Sequence, residues 1–120
     1  MSESQFEPKP LVYACAGCSF AGRLAYDLAL ELDRRGIAQM SCLAGVAAEK
    51  KSFLAQLTGR PVWIIDGCAI ECAKGVFDRL GKRVDRYIRL HEFGIKKKHP
   101  PQRGVDMDEL VNSVLSLTSS

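Results

Sequence analysis

Long apolar runs are absent from this sequence. None approaches the ~20 residues that a membrane-spanning helix needs, so no membrane role is expected. Residues 1–10 are polar and acidic-leaning, without the basic start and apolar centre of a secretory leader. A cytoplasmic, reducing location is therefore expected. Net charge is low as well. At +3, it leaves no electrostatic reason to expect nucleic acid as a partner. The glycine patterns that cradle phosphate, GxGxxG and GxxxxGK[ST], are missing, so Gly17 and Gly22 read as tight turns and close packing. A phosphatase loop of the C-x5-R type is excluded too. Four residues separate Cys18 from Arg23 and seven separate Cys15 from Arg23, and the backbone cradle depends on that length.

What is present fits one domain of 120 residues, with 47% hydrophobic and 26% charged residues. Residues 1–10, with two prolines, are expected to form a disordered tail, and 11–120 a single α/β domain. Residues 11–14 are a short apolar run, a candidate buried strand. Leu24, Leu28 and Leu32, with Ala25 and Ala29, place a helix over 21–35, and Gly36 is a natural stop. Residues 37–43 read as a second strand, 44–48 as a loop of small residues, and 49–57 as a short helix. Residues 62–65 are continuously apolar, as in a strand covered on both faces. A helix over 69–80 follows, then a less buried edge strand over 84–90. Residues 91–104 read as a basic loop, and 107–117 as a closing helix.

Alternation of strand and helix implies a three-layer sandwich around a parallel four-stranded sheet, of Rossmann or flavodoxin-like type. Right-handed crossovers then put every loop that leaves a strand on the same edge. Ligands bind at that edge where the strand order reverses.

All five cysteines fall there. Cys15 and Cys18 follow the first strand, Cys42 sits near the end of the second, and Cys68 and Cys72 follow the third, one helical turn apart. If the first strand lies between the second and third, they converge. A single buried cysteine would be core filler; five at one edge and none elsewhere indicate metal ligands or redox thiols in a reducing compartment. Zinc takes four ligands, and C-x-x-C is a standard half-site that Cys15-Ala16-Gly17-Cys18 supplies. An iron–sulfur cluster is compatible with the same thiolates. The thioredoxin pattern is disfavoured, because neither Pro61 nor Pro100 is placed beside the thiols.

Other polar residues read more plainly. Asp66 suits a helix cap or the orientation of a ligand. His91 reads as a solvated loop residue near the functional edge. Residues 96–103, with Lys96, Lys97, Lys98 and Arg103, read as a solvated loop, docking to an acidic protein partner or an anion being the second reading. Trp63 belongs to the core.

Several segments resemble the DGC-domain family, named for a central Asp-Gly-Cys. They are Cys15-Ala16-Gly17-Cys18-Ser19, Gly22 with Leu24, Met40-Ser41-Cys42-Leu43-Ala44-Gly45, Tyr87-Ile88-Arg89-Leu90, Phe93-Gly94-Ile95-Lys96 and above all Asp66-Gly67-Cys68-Ala69-Ile70-Glu71-Cys72-Ala73. The resemblance covers residues 11–117. It implies zinc binding through four cysteines, which fall here on Cys15, Cys42, Cys68 and Cys72, with Cys18 as the spare. Ala69 stands where the family's proline is expected. The expectation is a metal-binding protein that senses or transfers zinc or thiol equivalents rather than an enzyme, the alternative being a redox or sulfur-transfer protein using the same thiols.

Overall fold

The computed structural model describes residues 9–15, 20–67, 70–93 and 106–118. Cys18, Cys68, residues 1–8 of the tail expected over 1–10, and the basic segment 96–103 lie outside them. Four parallel strands form one sheet: β1 (Leu11–Ala14), β2 (Gln39–Met40), β3 (Val62–Asp66) and β4 (Arg86–Arg89), in the order β2-β1-β3-β4. The first strand does lie between the second and third. In register, Ala14 faces Ile65, Val12 faces Met40, and Ile64 faces Tyr87.

The helices are α1 (Phe20–Arg34), α2 (Leu43–Ala47), α3 (Lys51–Ala55), α4 (Cys72–Leu80) and α5 (Met107–Thr118). Side chains alternate across a strand, so each central strand feeds two cores. Val12, Ala14, Trp63 and Ile65 meet Leu24, Leu28 and Leu32 of α1, along with Leu110, Val111 and Val114 of α5. Leu11, Tyr13, Val62 and Ile64 meet Val46 of α2 and Phe77 of α4. Trp63 is a core residue, as expected. None of the described helices is long and apolar enough to cross a membrane.

The helix expected over 49–57 is only α3, Lys51–Ala55, and the strand expected over 84–90 is only β4, Arg86–Arg89; three further elements differ from expectation, each for a local reason. β2 has two residues where seven were expected. Gly36, at φ +75°, closes α1, and the amides of Ile37 and Ala38 donate back to the Leu32 carbonyl at 2.9 and 3.3 Å. Those residues are consumed in ending the helix. The chain then pairs through Gln39 and Met40, the amides of Gln39 and Ser41 donating to the Pro10 and Val12 carbonyls at 2.8 and 3.1 Å, before turning again.

The expected loop at 44–48 is instead α2. Cys42 caps it, its Sγ accepting from the Gly45 amide at 3.2 Å. Alanines 44 and 47 are strong helix formers whose small size was read as loop. Gly45 is required by packing: a Cβ there would stand 2.4 Å from the Phe53 ring of α3.

The helix expected from residue 69 starts at Cys72, because Glu71 sits in the left-handed region at φ 60° and ψ 49°. Cys68, the cysteine expected one helical turn from Cys72, lies outside the described residues. At the other end, Gly81 at φ 67° stops α4 as expected.

Candidate functional site

The C-terminal ends of β2, β1 and β3 lie side by side, and described cysteines follow each. Cys15 comes directly after β1. Its amide donates to the Ile65 carbonyl at 3.2 Å, which ties the start of the loop to β3, and its side chain is half-buried. Cys42 stands two residues past β2, not within it, and is exposed. Its sulfur accepts the Gly45 amide, so the side chain is aimed by α2. Cys72 is the first residue of α4 and is exposed. Among the described residues, no group of three or more His, Cys, Asp and Glu side chains is placed to hold a metal ion. Two of the five cysteines, Cys18 and Cys68, stand outside that statement.

Beneath this edge lies Asp66, the last residue of β3. It is 1% exposed and the only buried charged side chain among the described residues. Burying a carboxylate costs several kcal/mol unless its oxygens are satisfied. Here Oδ1 accepts the Ala73 amide at 2.9 Å, while Oδ2 accepts the Lys74 amide at 3.0 Å and the Tyr87 hydroxyl at 2.8 Å. The two amides belong to the first turn of α4, which has no helical acceptor for them. Glu71, left-handed, makes no side-chain cap bond. Asp66 therefore caps α4 from the neighbouring strand, adding a negative charge where the helix dipole is positive. This is the capping role its sequence position suggests.

Tyr87 projects from β4 onto the same carboxylate. Burial, joined by the Asp66 oxygen, pushes its phenol far above the usual tyrosine value. Two cations flank its ring, Lys74 Nζ at 5.8 Å and Arg89 Cζ at 5.6 Å from the centroid. Arg89 bonds Glu92 at 2.7 Å and approaches Glu71 at 3.6 Å, so a cation faces the left-handed residue. Sequence reading missed Tyr87 and Arg89 as part of this edge. Their alternation on one face of the last strand was the available signal, but it names Asp66 only once β4 is known to lie beside β3.

Gly67 follows Asp66. A Cβ there would meet the Ala21 carbonyl oxygen at 2.1 Å. The turn out of β3 is thus pressed onto the first turn of α1. The Asp-Gly pair has two separate causes: the carboxylate caps one helix, and the missing side chain admits another.

On the opposite side of β1, the Tyr13 hydroxyl is enclosed and makes no hydrogen bond of good geometry. The Ser41 hydroxyl beside it is taken up by Gln56 at 2.7 Å, and burial raises the Tyr13 phenol. Tyr13 packs on Phe77 with ring centroids 4.9 Å apart, which joins the floor of the cysteine edge to α4. His91 falls in a 3-10 turn, Leu90–Phe93, just after β4.

The family model described as the DGC domain matches residues 11–114. The anaerobic and virulence modulator AnvM of Pseudomonas aeruginosa is 44% identical over 94 residues, covering 78% of this chain and 72% of that protein. No solved structure matches the chain.

Proposed function

The chain belongs to the DGC-domain family, and on that premise we propose that it is a thiolate metal-binding protein, with zinc held at the edge where β2, β1 and β3 end. The observation that carries this reading is the strand order. With β1 between β2 and β3 and all three parallel, the loops bearing Cys15, Cys42 and Cys72 leave the sheet on one side.

The proposed ligands are Cys15, Cys42, Cys68 and Cys72. Soft thiolate donors suit zinc. The amide held by Cys42 is the kind of outer hydrogen bond that steadies a ligating sulfur. The described sulfurs do not form a chelate by themselves, so Cys68, inside the Asp66–Ala73 motif, is assigned the completing place. A bound zinc supplies a closed tetrahedral centre without redox chemistry of its own. The protein's part is positional: Asp66 fixes the start of α4 and with it Cys72, and the Gly45 amide fixes Cys42.

Five cysteines for four places leave one thiol, assigned to Cys18. A thiol beside a metal can exchange with a ligand or, when a peroxide takes the two electrons and is reduced to water, form a disulfide with a released ligand, which couples release to oxidation. The function that follows is sensing or transfer of zinc or thiol equivalents in a reducing, cytoplasmic setting, not turnover of a small substrate. The relative's description as an anaerobic and virulence modulator fits a modulatory part. The basic segment 96–103 is the proposed face for an acidic protein partner. An iron–sulfur or redox-thiol protein is the second reading, since the same donors accept iron.

Elemental analysis of protein purified without added metal, with thiol counts before and after chelation, tests this. About one zinc per chain with protected thiols supports it. Neither zinc nor iron, with all thiols reactive in the native protein, ends it. Iron with visible charge-transfer absorption moves the site to the second reading.

A further inference from the structure

The sheet edge opposite the cysteines carries a hollow of about 210 Å³. Its apolar wall is Leu54, Leu57 and Val62, and its polar wall is Arg60, Lys82 and Arg83. Two turns build it, and they follow one plan. Gly59-Arg60-Pro61-Val62 leads into β3, and Gly81-Lys82-Arg83-Val84 leads towards β4. Each begins with a left-handed glycine, at φ +73° and +67°. Each places a cation next and a valine two positions later. Because β3 and β4 are neighbours, the two turns bring their cations to the same hollow.

Three cations line this space, and no carboxylate does. Some cations elsewhere in the protein are paired: Arg23 with Asp27, Arg34 with Glu31, Arg35 with Asp108, Lys74 with Asp78. In the hollow only Arg83 reaches a carboxylate, Asp85 at 3.1 Å. Among the described residues, Arg60 and Lys82 have no acidic partner. Arg60 is nonetheless held in place, its Nε and one terminal nitrogen donating to the Lys9 carbonyl at 3.1 and 2.8 Å. A carbonyl fixes the guanidinium without neutralising it. The result is a pre-oriented cation over an apolar wall, which lowers the ordering cost of binding.

We propose that this hollow binds a small organic anion, a carboxylate or phosphate carrying a short apolar tail, at a site separate from the cysteine edge. The charged head lies among Arg60, Lys82 and Arg83, and the tail covers Leu54, Leu57 and Val62. Convergent polar groups over an apolar wall are the usual make-up of a small-molecule site. The volume limits the tail to a short chain.

Amide NMR spectra of the full-length protein, titrated at constant ionic strength with hexanoate, butyl phosphate, inorganic phosphate and hexanol, test the proposal. The expected result is saturable binding of hexanoate or butyl phosphate with a Kd of about 1 mM or tighter. Shifts should concentrate at residues 57–62 and 81–84. Whichever of the two binds more tightly identifies the head group. Lys82→Glu should weaken binding about tenfold or more, while Arg79→Glu, the same charge change outside the hollow, should not. Lys82→Gln serves as a milder second variant. Absence of saturation, shifts centred elsewhere, equal losses in the Lys82 and Arg79 variants, or inorganic phosphate or hexanol binding as well as the tailed anions would overturn it.

Discussion

The Tyr87 hydroxyl lies 2.8 Å from Oδ2 of Asp66, and through that oxygen β4 holds the start of α4. Three elements meet at one buried carboxylate. Removing the carboxylate leaves all three donors without their acceptor.

Asp66→Ala should therefore be among the most damaging single changes, costing about 3 kcal/mol or more, because two helix amides and a phenol lose their acceptor together. Tyr87→Phe should cost about 1–2 kcal/mol, since only one donor goes. Urea unfolding of both variants and the double mutant checks this. Strict additivity would show that the two residues do not share an interaction.

Alkaline stability should depend on Tyr87. Its folded pKa is raised, chiefly by burial and then by Asp66. The stability it contributes is present in full below the unfolded value of 10.0 and is lost as pH rises above that towards the folded value. Wild type should lose stability above pH ~10, and Tyr87→Phe should lose less over the same interval. Unfolding curves at successive pH values decide it; parallel losses would refute the assignment.

Gly67 and Gly75 should respond oppositely to alanine. At Gly67 a Cβ meets backbone at 2.1 Å, and backbone cannot rotate away. Gly67→Ala should cost about 2–4 kcal/mol by displacing α1 or the turn after β3. Gly75 is in the interior of α4 with open space around its Cβ position. Gly75→Ala should stabilise by about 0.5–1 kcal/mol. Thermal unfolding reads both.

Cys42 offers a separation of structure from ligation. Its sulfur caps α2. Cys42→Ser keeps an acceptor for the Gly45 amide and should retain stability within about 0.5 kcal/mol, while Cys42→Ala should lose about 1 kcal/mol. On the proposed metal reading both lose bound metal alike. Metal retained at the wild-type level in Cys42→Ala would remove Cys42 from the ligand set.

The cysteines of the first and last loops should not be equivalent. Cys72→Ser and Cys68→Ser should lower metal content more than Cys18→Ser does. Mild peroxide should release zinc more slowly from Cys18→Ser than from wild type, if the spare thiol couples release to oxidation. Equal release from both would leave a purely structural site.

Much of the fold was legible because it follows from period and punctuation. The leucines of α1, the apolar run of β3 and the stops at Gly36 and Gly81 are local signals, and they fall where expected. The strand order enters only as the condition under which the cysteine loops converge, and the sheet meets it. What was not legible depends on contacts between distant residues. A sulfur cap on α2, an α4 shortened by left-handed Glu71, and a Tyr87–Asp66 bond between neighbouring strands have no periodic signature. At the candidate site, Asp66 was readable as a cap from its place after an apolar strand, whereas Tyr87 and Arg89 read only as part of a less buried edge strand.

The brevity of β2 bears on how the molecule behaves in company. Sheet edges are where chains add to one another, through rows of unpaired amides and carbonyls. One edge here is two residues long, because Ile37 and Ala38 spend their amides on α1 and Cys42 turns the chain away. The other edge, β4, reads Arg-Tyr-Ile-Arg, with a cation at each end. Among the described residues, one edge too short and one flanked by charge leave little template for a second copy to extend the sheet.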